Sequence, residues 1–294
     1  MHMEPRYTYG GDEFLFAELA EGMSLEANFR VSGITQNLKN RDLPGVIDIC
    51  PANASYMVRF DPDVFPAEKL LKEMQDATRD LSQSDKIQLT ARVVDVPILF
   101  EDPWTHEALM RARDRHQDPN STDIEYAARS NGYATKEDFI HALTGAPYLV
   151  SMTGFVPGLP WCFQITPQER QIEVPKYVRP RTFTPERAFG FGGAFACIYP
   201  VQGAGGYQLF GIAPGPIFDR EQRLPDFRES MVFPQPGDIF SYRAINMEEY
   251  ETLRMKVEQG TFQYRATSVE FAPDEVISDP EGFSQRVLGG LYRD

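Results

Sequence analysis

At 294 residues the chain is long enough for two domains, each with its own core. A formal net charge of −14 at pH 7 disfavours nucleic acid or an anionic membrane surface as a partner. Three widely spaced cysteines and four histidines make neither a disulfide framework nor a zinc site, and no apolar run approaches the ~18–20 residues that a bilayer span needs. No charged start leads into an apolar stretch, so the expectation is a cytoplasmic protein without a secretory signal, its Met1-His2-Met3 a cloning remnant.

Residues 10–19, GGDEFLFAEL, read as a first strand after a glycine turn. Leu25, Phe29, Ile34 and Leu38 recur at helical spacing, which predicts a helix over 25–39. Val46–Cys50 and Ser55–Phe60 read as a hairpin around PANA. Pro66 suits the first helical position and opens a helix to about residue 80, and the alternation in IQLTARVVDV predicts a strand over 87–96. The order β-α-β-β-α-β predicts an N-terminal α+β sandwich domain over residues 1–95, with a structural or docking role.

Residues 97–146 are polar and helical. Helices are expected over 104–116 and 124–130, and a third begins at a capping-box pattern, Thr135 to Asp138, and ends at Gly145. His106, His116 and His141 fall on these helices without metal-ligand spacing and read as solvated. Asn120-Ser121-Thr122 matches a glycosylation pattern, which without a secretory signal is accidental.

From Pro147 to Phe218 glycine, proline and aromatics punctuate short β-prone runs, which predicts a compact barrel or sandwich; with the helical insertion this second domain spans 96–294. Farther on, MVFPQPGDIFSYR reads as two strands around a turn, and Asn246 caps a helix that ends before Gly260. Residues 262–271 alternate as a last strand, ahead of an acidic tail that wraps another surface.

The polar residues of the central stretch are Lys176, Tyr177, Arg179, Arg181, Thr182, Thr184 and Gln208. The pairs Gly192-Gly193 and Gly205-Gly206 admit two readings: main-chain N–H groups brought close to a ligand, or relief of crowding at a bend. Arg179 and Arg181 suit either a bidentate carboxylate contact or ion pairs of an acidic protein. Lys176 serves as a base only if buried. Cys162 and Cys197 have apolar neighbours and no nearby histidine, so core packing is expected. Neither a phosphate loop nor a nucleophile elbow is present.

Three blocks in order carry a resemblance: GDEFLFAEL to VVDVPILFED, TGFVPGLPW, and RPRTFTPERAFGFGGAFACIYPVQGAGGYQLFGI. Over almost the whole chain they resemble the family of allophanate hydrolase subunit 1 and carboxyltransferase subdomains C and D. That family also holds the B component of 5-oxoprolinase and the kinase-inhibitor proteins of sporulating bacteria. DPWT, KY before the arginine, and RTFTPE are similar to the urea carboxylase branch. Departures are Ala204, where the family commonly has Pro, and Ile212-Ala213 in place of Arg-Thr.

The resemblance implies a cyclophilin-like β-barrel after the α+β domain. It implies one subunit of a biotin-dependent carboxyltransferase that moves a carboxyl group to a urea-like or amide nitrogen. No cofactor is covalently bound in this reading: carboxybiotin arrives on a separate carrier. The implied partners are a subunit-2-type chain, the biotin carrier and biotin carboxylase. The alternatives are the B component of an ATP-dependent lactam-hydrolysing 5-oxoprolinase and a kinase-inhibitor-like binding module. On the matched blocks the implied catalytic residues are Arg181, Lys176 and Tyr177. Thr184, Gly192, Gly193, Gly206, Tyr207 and Gln208 are implied to contact substrate, with no metal.

Overall fold

The computed structural model describes residues 4–83 and 88–293. Met1-His2-Met3 and the first residue of the strand expected over 87–96 lie outside them. The fold is mixed α+β, and the chain divides into two compact units, Met1–Thr90 with Glu270–Asp279 and Ala91–Val269 with Pro280–Asp294.

In the first unit, β1 (Arg6–Tyr9), β2 (Phe14–Glu18), β3 (Val46–Pro51) and β4 (Ser55–Phe60) form one antiparallel sheet in the order β1-β2-β4-β3. The expected strand over 10–19 is β2, and β1 went unread. Helices α1 (Leu25–Asn40) and α2 (Ala67–Gln83) stand at the expected places. Ser24 caps α1 by accepting from the Ala27 N–H at 3.1 Å. Leu15, Ala17, Tyr56, Val58 and Phe60 of the sheet share a core with Val31, Ile34, Leu38, Leu70 and Met74 of the two helices.

The next strand, β5 (Leu89–Phe100), departs from the expected sandwich, because it belongs to a different sheet. Seven consecutive residues, Val93 to Leu99, are buried, so both of its faces are covered. Such a strand belongs inside a sheet covered on both faces, not at the end of a half-exposed one. Its partners come from late in the chain.

Helices α3 (Pro103–Arg111), α4 (Asp123–Ser130) and α5 (Lys136–Thr144) follow β5. Thr135 accepts from the Asp138 N–H at 3.1 Å, and a full capping box, unread in the sequence, joins Thr122 and Glu125 at α4. The expected helix over 104–116 stops at Arg111, and a short 3-10 turn covers Arg113–Arg115.

The remaining strands are β6 (Tyr148–Thr153), β7 (Pro160–Gln164), β8 (Arg181–Thr184), β9 (Ala188–Gly192), β10 (Phe195–Ile198), β11 (Gly203–Gly205), β12 (Gln208–Ile212), β13 (Ile239–Ala244) and β14 (Ala266–Phe271). Hydrogen-bonded neighbours run β12-β9-β10-β7-β6-β13-β5, and β12 also pairs with β5, so the circuit closes; β14 flanks β5. Strands β8 and β11 form a separate pair. The β5–β13 pairing is parallel, Val93 opposite Ile239 through Ile98 opposite Ala244. In the core of the second unit the Tyr242 ring lies 4.9 Å from that of Tyr148 and 4.5 Å from that of Phe189, and Phe139 of α5 meets Phe210 edge-on at 5.5 Å.

Helix α6 (Met247–Glu258) is capped by Asn246 as expected. The expected strand over 262–271 begins only at Ala266, because its first residues are bonded elsewhere. The Phe262 N–H reaches Lys256 O at 3.1 Å, and the Tyr264 N–H reaches Asp226 Oδ2 at 2.7 Å. The acidic tail folds into α7 (Pro273–Ser278) and α8 (Pro280–Leu291), each opening on proline.

One ion pair locks the β5–β13 junction. Arg92 donates to both oxygens of Asp238, at 3.1 and 2.6 Å, and to Phe233 O at 2.7 Å. Burial pushes the Asp238 carboxyl above its usual range, and Arg92 offsets that only in part. Arg92→Ala is therefore expected to lower unfolding stability by about 3–5 kcal/mol near pH 8. Without Arg92 the buried carboxyl is more readily protonated in the folded chain than in the unfolded one. The penalty should therefore shrink toward pH 5, and urea denaturation at both pH values checks the size and the sign.

A buried carboxylate and an aromatic platform at the candidate site

Strand β8 with the segment before it, the end of β9 and the start of β12 bring all nine expected residues into one neighbourhood, in two layers. The inner layer is enclosed. Arg181, 1% exposed, donates from Nη1 to Tyr207 O at 2.6 Å and from Nη2 to Thr184 Oγ1 at 3.4 Å. Its guanidinium lies 4.7 Å from the centre of the Tyr177 ring. Gln208 is fully buried and donates to Pro175 O at 3.0 Å, while the Tyr177 N–H donates to Gly206 O at 2.8 Å. Burial, and then the negative charge of Asp123, push the Tyr177 phenol far above its usual range. The phenol keeps its proton and donates it to Asp123 Oδ1 at 2.5 Å.

The outer layer is open. Lys176 is exposed, with its Nζ 5.2 Å from the Tyr207 ring centre and 5.8 Å from that of Trp161. Phe195 meets Trp161 edge-on at 5.2 Å. Gly193 is exposed at φ 60°, and its N–H is committed to Val174 O at 2.7 Å. What it leaves free is space: a Cβ there would meet only Lys176 Cε, at 3.9 Å. Gly192 answers to packing, since a Cβ would fall 2.4 Å from the Tyr207 ring.

Sequence reasoning missed the residues that hold this neighbourhood in place. Asp123, at the start of α4, is 2% exposed. Besides Tyr177 it accepts from the Leu209 N–H of β12, through Oδ2 at 2.6 Å. His116, expected in solvent, is buried with Nε2 3.3 Å from Asp123 Oδ1. Its Nδ1 accepts from the Asp118 N–H at 2.9 Å, and its buried Nε2 makes no hydrogen bond despite that approach. Around this centre Arg115 donates to Pro180 O at 2.6 Å, Arg179 to Asp114 O at 3.0 Å, and Gln117 to Lys176 O. Arg179 thus spends one donor on the main chain while staying exposed. No spacing in the sequence signals the His116–Asp123 approach. Trp161 lay in the TGFVPGLPW block without being singled out.

Cavities of about 360, 200 and 340 Å³ lie in the same unit; the nine residues line none of these three. The three cysteines are free, and burial pushes the Cys162 thiol up to about 12. Among the described residues, no group of three or more His, Cys, Asp and Glu side chains is placed to hold a metal, and no helix is long and apolar enough to cross a membrane.

Residues 5–227 match the model of the carboxyltransferase domain, subdomain C and D, and the chain belongs to that family. It is 24% identical over 278 residues to urea amidolyase of Saccharomyces cerevisiae, an alignment covering 92% of this chain and 15% of that protein. It is 22% identical over 254 residues to the 5-oxoprolinase B component of Bacillus subtilis, covering 83% of this chain and 94% of that one. The crystal structure of Kluyveromyces lactis urea carboxylase superposes with a TM-score of 0.80 at 20% identity, over 97% of this chain and 26% of that chain. The chain therefore spans only a minor part of the urea-metabolising proteins and nearly the whole length of the Bacillus protein.

Asp123→Ala would leave the Leu209 N–H and the Tyr177 hydroxyl unpaired in a buried place. The expected loss is about 3 kcal/mol in urea denaturation, against about 1 kcal/mol for Tyr177→Phe. A loss below that of Tyr177→Phe would remove Asp123 from its central place. In native protein at pH 8, iodoacetamide should spare Cys162 and label it only after unfolding, as mass spectrometry would show.

Proposed function

We propose that this member of the carboxyltransferase family forms part of a biotin-dependent carboxyltransferase site. In this reading it acts with a subunit-2-type partner and passes a carboxyl group to the nitrogen of a urea-like or amide substrate. The observation that carries the reading is the position of Lys176. An exposed ammonium is held against two aromatic faces beside the open space over Gly193. A flat, partly apolar group that ends in a carboxylate suits that arrangement: the rings take its face and the ammonium its charge. The closed circuit of strand pairings supports reading the second unit as the cyclophilin-like barrel. Free thiols accord with a reducing, cytoplasmic location.

Carboxybiotin, brought by a carrier and charged by a biotin carboxylase, supplies the carboxyl group when bound. The residues of this chain bind and orient. Lys176 offers positive charge to the carboxylate, and Tyr207 and Trp161 offer the platform. Arg181, Thr184 and Gln208 fix the main chain beneath. Tyr177 keeps its proton, so its contribution is to hold Asp123 rather than to act as a base. Proximity of donor and acceptor would supply most of the rate.

The Bacillus subtilis relative, matched over nearly its whole length, favours a second reading as the B component of a lactam-hydrolysing 5-oxoprolinase. One assay separates the two. The chain is combined with its subunit-2-type partner and supplied either with carboxylated carrier and ureas, guanidines or amides, or with ATP and 5-oxoproline. Carboxylation of a nitrogen acceptor is the expected result; ATP-dependent ring opening alone would establish the second reading. Lys176→Gln should keep the fold and lower transfer about 100-fold. Unchanged transfer would remove Lys176 from the site. Arg181→Ala is a poorer probe, because it strips a donor from the buried Tyr207 carbonyl and unsettles the fold.

A further inference from the structure

The cavity of about 340 Å³ lies at the other end of β9 from Gly192 and Gly193, five residues away along a strand. At ~3.3 Å per residue that places it ~16 Å from the platform. Arg187, at the head of β9, has φ 66°, a conformation that a long L side chain adopts only when its surroundings hold it there. Its Nη1 donates to Ala213 O at 2.8 Å and to the Tyr250 hydroxyl at 3.1 Å, and also lies 3.4 Å from Pro214 O. Its buried Nε has no hydrogen-bond partner, and the Glu186 carboxylate, on a mostly exposed side chain, stands 3.6 Å away.

Arg254 of α6 donates to Pro214 O at 2.9 Å, so two guanidinium groups converge on one carbonyl. Among the described residues Arg254 has no ion pair within 4.0 Å. Burial, and then the charge of Arg187, push the Arg254 guanidinium below its usual range, as expected where positive charge is undercompensated. The carboxylates of the lining are engaged or peripheral. Asp219 spends both oxygens on the N–H groups of Glu221, Arg223 and Leu224, Glu221 faces Arg223 at 3.3 Å, and Glu258 is exposed. Phe218, Leu224 and Val257 add apolar wall, and the volume suits more than an inorganic ion.

We propose that this cavity binds a small organic oxyanion, a carboxylate or a phosphate monoester, with its head between Arg187 and Arg254 and its apolar body against Phe218 and Val257. The site is independent of the carboxyltransferase reading. Guanidinium forks match either head group bidentately. Its affinity should fall with added salt.

Calorimetry in low-salt buffer tests it with butyrate, butyl phosphate, inorganic phosphate and the uncharged butyramide. Saturable binding of butyrate or of butyl phosphate is expected, and whichever is tighter names the head group; butyramide should not bind. Arg254→Gln should weaken binding about tenfold, the scale of one charge-assisted contact. Glu258→Gln, an exposed change that removes an opposing charge, should tighten it about twofold. The proposal falls if neither organic anion binds saturably, if inorganic phosphate binds as tightly as butyl phosphate, or if Arg254→Gln binds like the parent. Should Arg254→Gln fail to fold, absence of tightening in Glu258→Gln overturns it.

Discussion

A single buried carboxylate, that of Asp123, ties together three stretches of chain that sequence order keeps far apart. It stands at the N-terminus of α4, takes the Tyr177 hydroxyl from the segment before β8, and takes the Leu209 N–H from β12. A charge in such a place is tolerated only when its acceptor sites are used. Here the two hydrogen bonds use both oxygens, and the buried His116 ring lies against Oδ1, its Nε2 at 3.3 Å. Tyr207 and Gln208 immediately precede the residue that Asp123 holds. The aromatic platform and the amide beneath it therefore inherit their positions from a side chain in the helical insertion. The insertion is thus part of the candidate site rather than an ornament on it.

What the sequence made legible was local. Caps at Thr135 and Asn246, the hairpin of β3 and β4, and the helices α1 and α2 all follow from spacing within a few residues. The strand β5 was visible as a strand but not as a member of its sheet, because its parallel partner β13 lies far along the chain and nothing local specifies it. His116 was misjudged for a similar reason. A histidine in a polar stretch reads as solvated, and only the fold brings Tyr126, Tyr177 and Asp123 around it. The nine expected residues do converge. Convergence was legible because the family blocks keep them together, while the division into an enclosed layer and an open one was not.

The departure at Ile212-Ala213 has a physical reading. Ile212 is buried beside Leu99 and Tyr250, an apolar place that would not take a charged side chain without rearrangement. Two guanidinium groups reach just past this end of β12: Arg187 bonds the Ala213 carbonyl and Arg254 that of Pro214. Positive charge is therefore present near the strand end although the local sequence lacks it.

The parallel pairing of β5 and β13 also bears on how the chain is made. Arg92 and Asp238, which lock that junction, are separated by 146 positions. At ~5–20 residues per second, a ribosome needs ~7–30 s to deliver the partner after β5 has emerged. Through that interval Val93 to Ile98 of an apolar strand destined for burial on both faces lack their parallel partner, the kind of segment that seeds aggregation. Fragments that stop short of Ala244 deny β5 the parallel partner it has in the complete fold.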